Sequence, residues 1–285
     1  MVGKLLKYDM RALARPLKFV ILGIILLALI LTVFMAIEMR RIYNYNFEND
    51  NSLTQRLGIS VILLSILGIG AGITVTIVFI HVFFYRSMFS DEGYLTHTLP
   101  VKSSTLFFTK LLSAVIWMLI CIVTITFSVF MVLIFGTSET GLVNKDMLFA
   151  IKDIFLSIRD IGMTNFIILF CLQNLLGLIV SILQVFLAIT LGCAIANKHR
   201  IWAAVGMYAA ISTCRVIING IFTVGSSFLS VLTPIDALLG YGTVRNDLMN
   251  ALNITQAVDI IKNVCIIVGC YIWVNHLLKK KLNLQ

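Results

Sequence analysis

Six apolar runs, each long enough to cross a lipid bilayer as a helix, limit what this sequence can become more than any other feature. A hydrocarbon core of about 30 Å takes roughly 20 helical residues at 1.5 Å each. The runs fall at residues 17–37, 59–84, 111–135, 166–196, 201–223 and 257–278. The first holds one charge, Lys18, at its edge; the second is uncharged apart from His81; the sixth carries Asp259 and Lys262 in its first turns. Only helices and closed barrels satisfy every backbone group in lipid, and the two-residue alternation of barrel strands is absent. The expected fold is therefore all-α: a single polytopic transmembrane bundle over residues 1–285.

Composition agrees. Charged residues make up 12% of the chain and the mean hydropathy is +1.01. A soluble domain carries roughly 25% charged residues to wet its surface, so the apolar surplus here faces lipid. The net charge of +9 does not imply nucleic acid, because no segment offers a soluble basic face with interleaved aromatics. The six cysteines all lie inside apolar runs without a C-x-x-C pair, which reads as small buried side chains rather than a disulfide framework or zinc site. The first apolar run is too long for a cleavable leader and is expected to remain as an anchor.

Charge placement orients the bundle. With the N-terminus inside, the inner segments hold thirteen basic residues against three acidic ones, and the outer loops seven against nine. The positive-inside rule then places both termini in the cytoplasm. Ahead of the first span, Leu6, Met10, Leu13 and Leu17 form an apolar stripe beside a basic one of Lys7, Arg11, Arg15 and Lys18. This spacing predicts an N-terminal interfacial elbow helix that bends into the membrane at Pro16. Leu148, Ile151, Phe155 and Ile158 predict a helix on the outer surface. Residues 224–256 hold two short apolar runs divided by Pro234, which fits a re-entrant or outer-leaflet hairpin.

The segment most informative about function is the inner loop, residues 85–110, YRSMFSDEGYLTHTLPVKSSTLFFTK. Asp91 and Glu92 can place carboxylates at the start of a helical turn, where amide dipoles favour them. Gly93 permits a sharp change of direction, Pro100 ends any helix before it, and Ser103 or Ser104 can cap the next. The acidic residue with glycine, the L-P-V-x-x-S turn and the lysine before the third span (residues 91–110) resemble the permease subunits of bacterial type-2 ATP-binding-cassette exporters. The resemblance covers about twenty residues as motif and the whole chain as architecture.

The resemblance implies a permease of the bacterial plasma membrane that pairs with a second permease copy and couples to a separate cytoplasmic ABC ATPase. Asp91, Glu92, Gly93, Leu99 and Pro100 become the coupling elements. Two departures stand out: the family's usual arginine after the L-P-V turn is absent, with Lys102 beside its place, and the outer charge is too modest for a large exported-substrate domain. The chain is not itself an enzyme by this reading, since it lacks G-x-x-x-x-G-K-[ST], and it implies no cofactor. Gly68, Gly70 and Gly72 lie within the second span and read as helix-packing contacts. The alternatives are an ion-driven secondary transporter, which requires broken helices and mid-membrane acids, and a non-transporting immunity or sensor protein.

Four intramembrane polar residues complete the candidates: Arg215, Asp259, Lys262 and Gln184. Arg215 lies roughly 21 Å along the fifth span, at a depth where Asp259 is expected, so an Arg215–Asp259 pair lining an outer gate is one expectation and an ion pair fixing helix register the other. Gln173, Asn174, Gln184 and Asn219 either line a cavity or bond to neighbouring helices.

Overall fold

The computed structural model describes residues 2–44, 52–90, 93, 101–136, 156, 164–196, 199–232 and 244–280. The described residues form six long helices, α1 (Val2–Asn44), α2 (Ser52–Phe89), α3 (Ser103–Gly136), α4 (Thr164–Ile195), α5 (Arg200–Leu232) and α6 (Val244–Lys280), with no strand among them. Each contains a stretch long and apolar enough to cross a membrane. The architecture is that of an all-helical, multi-pass membrane protein.

The helices overrun the apolar runs that seed them. α1 has 43 residues, about 64 Å of helix and twice a hydrocarbon core. Once nucleated, a helix gains one backbone bond for each residue it adds, so polar flanks continue it at little cost. The N-terminal elbow accordingly is not a separate helix, for α1 runs unbroken through Pro16. A proline inside a helix costs about 3 kcal/mol, and packing on both sides of it offsets that cost. Asp9, Leu13, Leu17, Ile24 and Ala28 form one buried stripe spanning the proline. Lys4, Lys7, Arg11, Arg15 and Lys18 stay exposed.

Residues 228–232, read as part of a hairpin, are the last turns of α5; residues 233–243 lie outside the described residues, as does most of the expected outer-surface helix around residues 148–158.

Contacts divide the chain into two compact units: Met1–Phe83 with Leu112–Phe155, and Phe84–Leu111 with Leu156–Gln285. Within the first unit α2 lies close to α1 through its glycines. A methyl group at Gly68 would fall 2.6 Å from Leu27 Cδ1, and one at Gly72 would fall 2.8 Å from Ile24 Cγ1, whereas Gly70 faces open space. Two of the three glycines therefore serve close helix approach. One turn on, Thr76 Oγ1 donates to the Gly72 carbonyl (2.9 Å) and accepts from Cys121 Sγ of α3 (3.8 Å).

In the second unit α4 packs on both α5 and α6. Of the apolar stretch of α4, 61% is buried, against none of that in α5, so α4 is the core helix. Its buried run, Phe186–Gly192 together with Val180, Ile182, Leu183 and Gln184, is the part that meets its neighbours. At Gly192 the α5 backbone at Ala204 comes so close that no Cβ fits.

Candidate functional site

The segment joining α2 to α3 is held at both stems. Phe84 near the end of α2 stacks on Phe186 of α4, with ring centroids 3.8 Å apart and planes 9° from parallel. Phe107 in the first turns of α3 meets both rings edge-on at 6.1 and 6.2 Å and lies 5.5 Å from the Tyr271 ring of α6. All three phenylalanines are at most 1% exposed. Each such pair adds about 0.5–1.5 kcal/mol beyond burial of its area. The segment that leaves and re-enters this cluster is thereby tied to α4 and α6, which explains why residues 84–111 group with them.

Polar contacts finish the stems. The carbonyl of Phe89, last in α2, accepts from Arg200 Nη1 at the start of α5 (3.5 Å), a cation at a helix C-terminus where the dipole favours it. Ser90 Oγ donates to the Arg86 carbonyl (2.6 Å). The Gly93 amide donates to the Ser90 carbonyl (2.7 Å), and a Cβ at Gly93 would lie 2.7 Å from the Met88 carbonyl. The turn that leaves α2 therefore has room only for glycine. The carbonyl of Lys102 accepts from the amides of Thr105 and Leu106 (2.8 and 3.2 Å) and so begins α3. Ser103 and Ser104, expected as caps, sit inside the first turn, and Ser104 Oγ instead meets Tyr271 Oη at 3.3 Å. Asp91, Glu92, Leu99 and Pro100 lie outside the described residues.

A second constellation lies deep in the helices of the same unit. Gln173, Ser181 and Gln184 fall on one face of α4; Ser212, Arg215 and Asn219 fall on one face of α5; and Asp259, Lys262 and Asn263 fall on one face of α6. Spacings of three, four or eight residues bring most of each set to one side of its helix, and Asn263 follows Asp259 by four. Arg215 is near the middle of the apolar stretch of α5, Arg200–Phe228. Its Nη1 donates to Gln184 Oε1 (2.8 Å) and Ser181 Oγ (3.3 Å), while Gln184 Nε2 donates to Ser212 Oγ (2.9 Å). Lys262 Nζ donates to Asp259 Oδ1 (2.6 Å), and Gln173 Nε2 donates to Asp259 Oδ2 (3.1 Å).

These partners correct the expected Arg215–Asp259 pair. Asp259 has a lysine one turn away on its own helix, always within reach, and Arg215 is taken by the amide and hydroxyl of α4. The polar residues surround an open cleft of about 380 Å³, lined among others by Gln173, Asn174, Arg215, Asn219, Lys262 and Asn263. Gln184 lies beneath, 5% exposed, and bridges α4 to α5. Both readings of these amides hold in part: Gln173, Asn174 and Asn219 line a cavity, while Gln173 and Gln184 each bond to a neighbouring helix.

The electrostatics are unbalanced. A charge at the centre of a membrane helix costs about 2.5–3.5 kcal/mol on insertion scales. Asp259 neutralises Lys262, but both partners of Arg215 are neutral. Hydrogen bonds to a charged group return about 1.5–3 kcal/mol each, which holds the guanidinium in place without cancelling its charge.

Arg200, Tyr271 and the three clamping phenylalanines escape a sequence reading, because an aromatic within an apolar run carries no signal that separates it from other core residues. The cleft residues did leave one: polar side chains recurring every three or four positions within otherwise apolar spans. No protein family, curated protein or solved structure matches the chain.

Proposed function

We propose that this chain is the membrane-spanning permease subunit of an ATP-binding-cassette exporter in a bacterial plasma membrane, working as a dimer with separate cytoplasmic ATPase subunits. The sequence between α2 and α3, with its D-E-G turn and L-P-V-x-x-S element, is the coupling segment. One observation carries the reading furthest: residues 84–111 form a single compact unit with α4, α5 and α6, through the Phe84–Phe186–Phe107 cluster. A push from an ATPase on that segment then moves three spans together rather than bending a loose loop. A partner drives such a change only through contacts that differ between its two states, and ATPases that close on ATP supply them. The exposed cations along the start of α1 suit the anionic headgroups of an inner leaflet, in keeping with cytoplasmic termini.

The test is co-purification. Where a neighbouring gene encodes a lone ABC ATPase, that subunit is expressed with the tagged permease and extracted in mild detergent. The wild-type chain is expected to retain it, and Glu92→Ala with Gly93→Ala to lose it while still inserting. Retention by the double variant sinks the coupling assignment.

A second reading, an ion-driven secondary transporter, draws on the cleft with Asp259 and Lys262. It requires transport by vesicles that survives ATP depletion and collapses with the ion gradient, the reverse of what an exporter requires.

A further inference from the structure

The α4–α5–α6 cleft gathers more positive charge and more unused donors than its own residues consume. Arg215 has five N–H groups, and its hydrogen bonds among the described residues use Nη1 alone. It has no acidic partner among the described residues, since Asp259 is engaged by Lys262. Asn263 lines the cleft and is 8% exposed, with no hydrogen-bond partner among the described residues. Lys262 is 9% exposed, has two ammonium protons beyond the one given to Asp259, and lies 5.9 Å from the Phe222 ring centroid. Donors without acceptors in an apolar surrounding are costly, and a bound anion answers both the charge and the donors.

We propose that this cleft binds the anionic head group, a carboxylate or a phosphate, of an amphiphile. Charge complementarity selects the anion: the site sums to one positive charge, and the arginine fork matches two oxygens of one group. Position selects the amphiphile. The cleft sits midway along apolar helices, and on either side of its Arg215–Asn219 face α5 presents Val216 and Phe222, both exposed, against which an acyl chain can lie. A volume of about 380 Å³ is within the usual range of ligand sites, about 300–1,000 Å³, and admits a head group with the first carbons of its chain. The proposal stands on the packing of α4, α5 and α6 and not on the exporter reading. An ATPase that fails to co-purify leaves it intact, and absence of binding leaves the coupling segment intact.

The full-length chain is reconstituted in phosphatidylcholine nanodiscs and titrated separately with radiolabelled oleate, phosphatidylglycerol and inorganic phosphate. Saturable binding of about one amphiphile per chain is expected. Arg215→Gln is expected to weaken it about tenfold or more, as loss of a charge-assisted hydrogen bond does. Asn263→Leu, which fills the cleft and leaves every charge in place, is expected to weaken it similarly, so that an insertion failure of Arg215→Gln does not decide the matter. Tighter binding of oleate assigns the site to a fatty carboxylate, and tighter binding of phosphatidylglycerol assigns it to a membrane lipid; both support it. The proposal is overturned if neither amphiphile saturates, if both variants bind as the wild type does, or if inorganic phosphate binds as tightly as the amphiphiles.

Discussion

Replacing Gly192 with alanine probes the hairpin of α4 and α5 at its tightest point. A methyl group there would lie 2.5 Å from the Cα of Ala204 and 2.8 Å from its Cβ, where ordinary contact begins at 3.4 Å. The obstruction is backbone, which cannot rotate aside, so the helices must part by about 0.9 Å, the difference between 3.4 and 2.5 Å. Overpacking of this kind costs about 1–3 kcal/mol. Alanine returns about 0.8–1.0 kcal/mol of helix propensity relative to glycine, leaving a net loss of about 1–2 kcal/mol at the upper half of that range. Gly206→Ala is the matched control, two residues from Ala204 on α5 with nothing within 4 Å of its would-be Cβ. It is expected to gain the propensity term alone. Thermal unfolding in detergent, followed by circular dichroism, reads both, at about 2–4 °C per kcal/mol for a chain of this order of size. Because Gln184 and Ser212 lie two turns beyond the contact, Gly192→Ala should also loosen the Arg215 bonds. A Gly192→Ala chain that melts with Gly206→Ala, at or above wild type, refutes the backbone contact.

Three other outcomes follow from the same unit. Phe186→Ala removes the shared partner of Phe84 and Phe107 and should cost about 3–5 kcal/mol; protease nicking within residues 91–100 should rise in parallel, and unchanged cleavage with an unchanged melting point rules out the clamp. Gln184→Leu strips the principal bond of Arg215 and the donor to Ser212, a loss of about 1–3 kcal/mol for each group left unsatisfied, measured by thermal unfolding; a neutral result means the bridge does not hold α4 to α5. Asp259→Asn leaves Lys262, 9% exposed, without its carboxylate and should destabilise by about 3 kcal/mol, whereas the double variant with Lys262→Met should recover most of it; equal stability of single and double variants disproves the pairing.

The candidate residues differ in how far the sequence exposed them. Arg215, Asp259 and Lys262 stand out in any reading, because a charge inside an apolar run is rare and costly. Their pairing did not follow from depth along the helix. Depth placed Arg215 and Asp259 together, but the rotation of each helix about its axis turned Arg215 toward Gln184 and Ser181 and left Asp259 to Lys262. Gly93 was legible as a turn, and its contact with the Met88 carbonyl gives the reason. Arg200 was counted only as an inner positive charge, yet its guanidinium closes the end of α2, a role that depends on a helix 111 residues earlier in the chain.

By itself the sequence determined the class of the protein: six helices, because each apolar run must satisfy its own backbone in lipid and a run of about 20 residues can do so only as a helix. It also marked which spans carry charge, since that information is local and composition alone holds it. Tertiary structure decided the rest. Pro16 did not break α1, because buried contacts on both sides outweigh one lost hydrogen bond. The α2–α3 segment belongs with α4, α5 and α6, because three aromatic rings distant in sequence meet there. The polar residues enclose a cleft with an unbalanced cation, because three separate helices turn their polar faces to one another, and no local pattern dictates which faces meet.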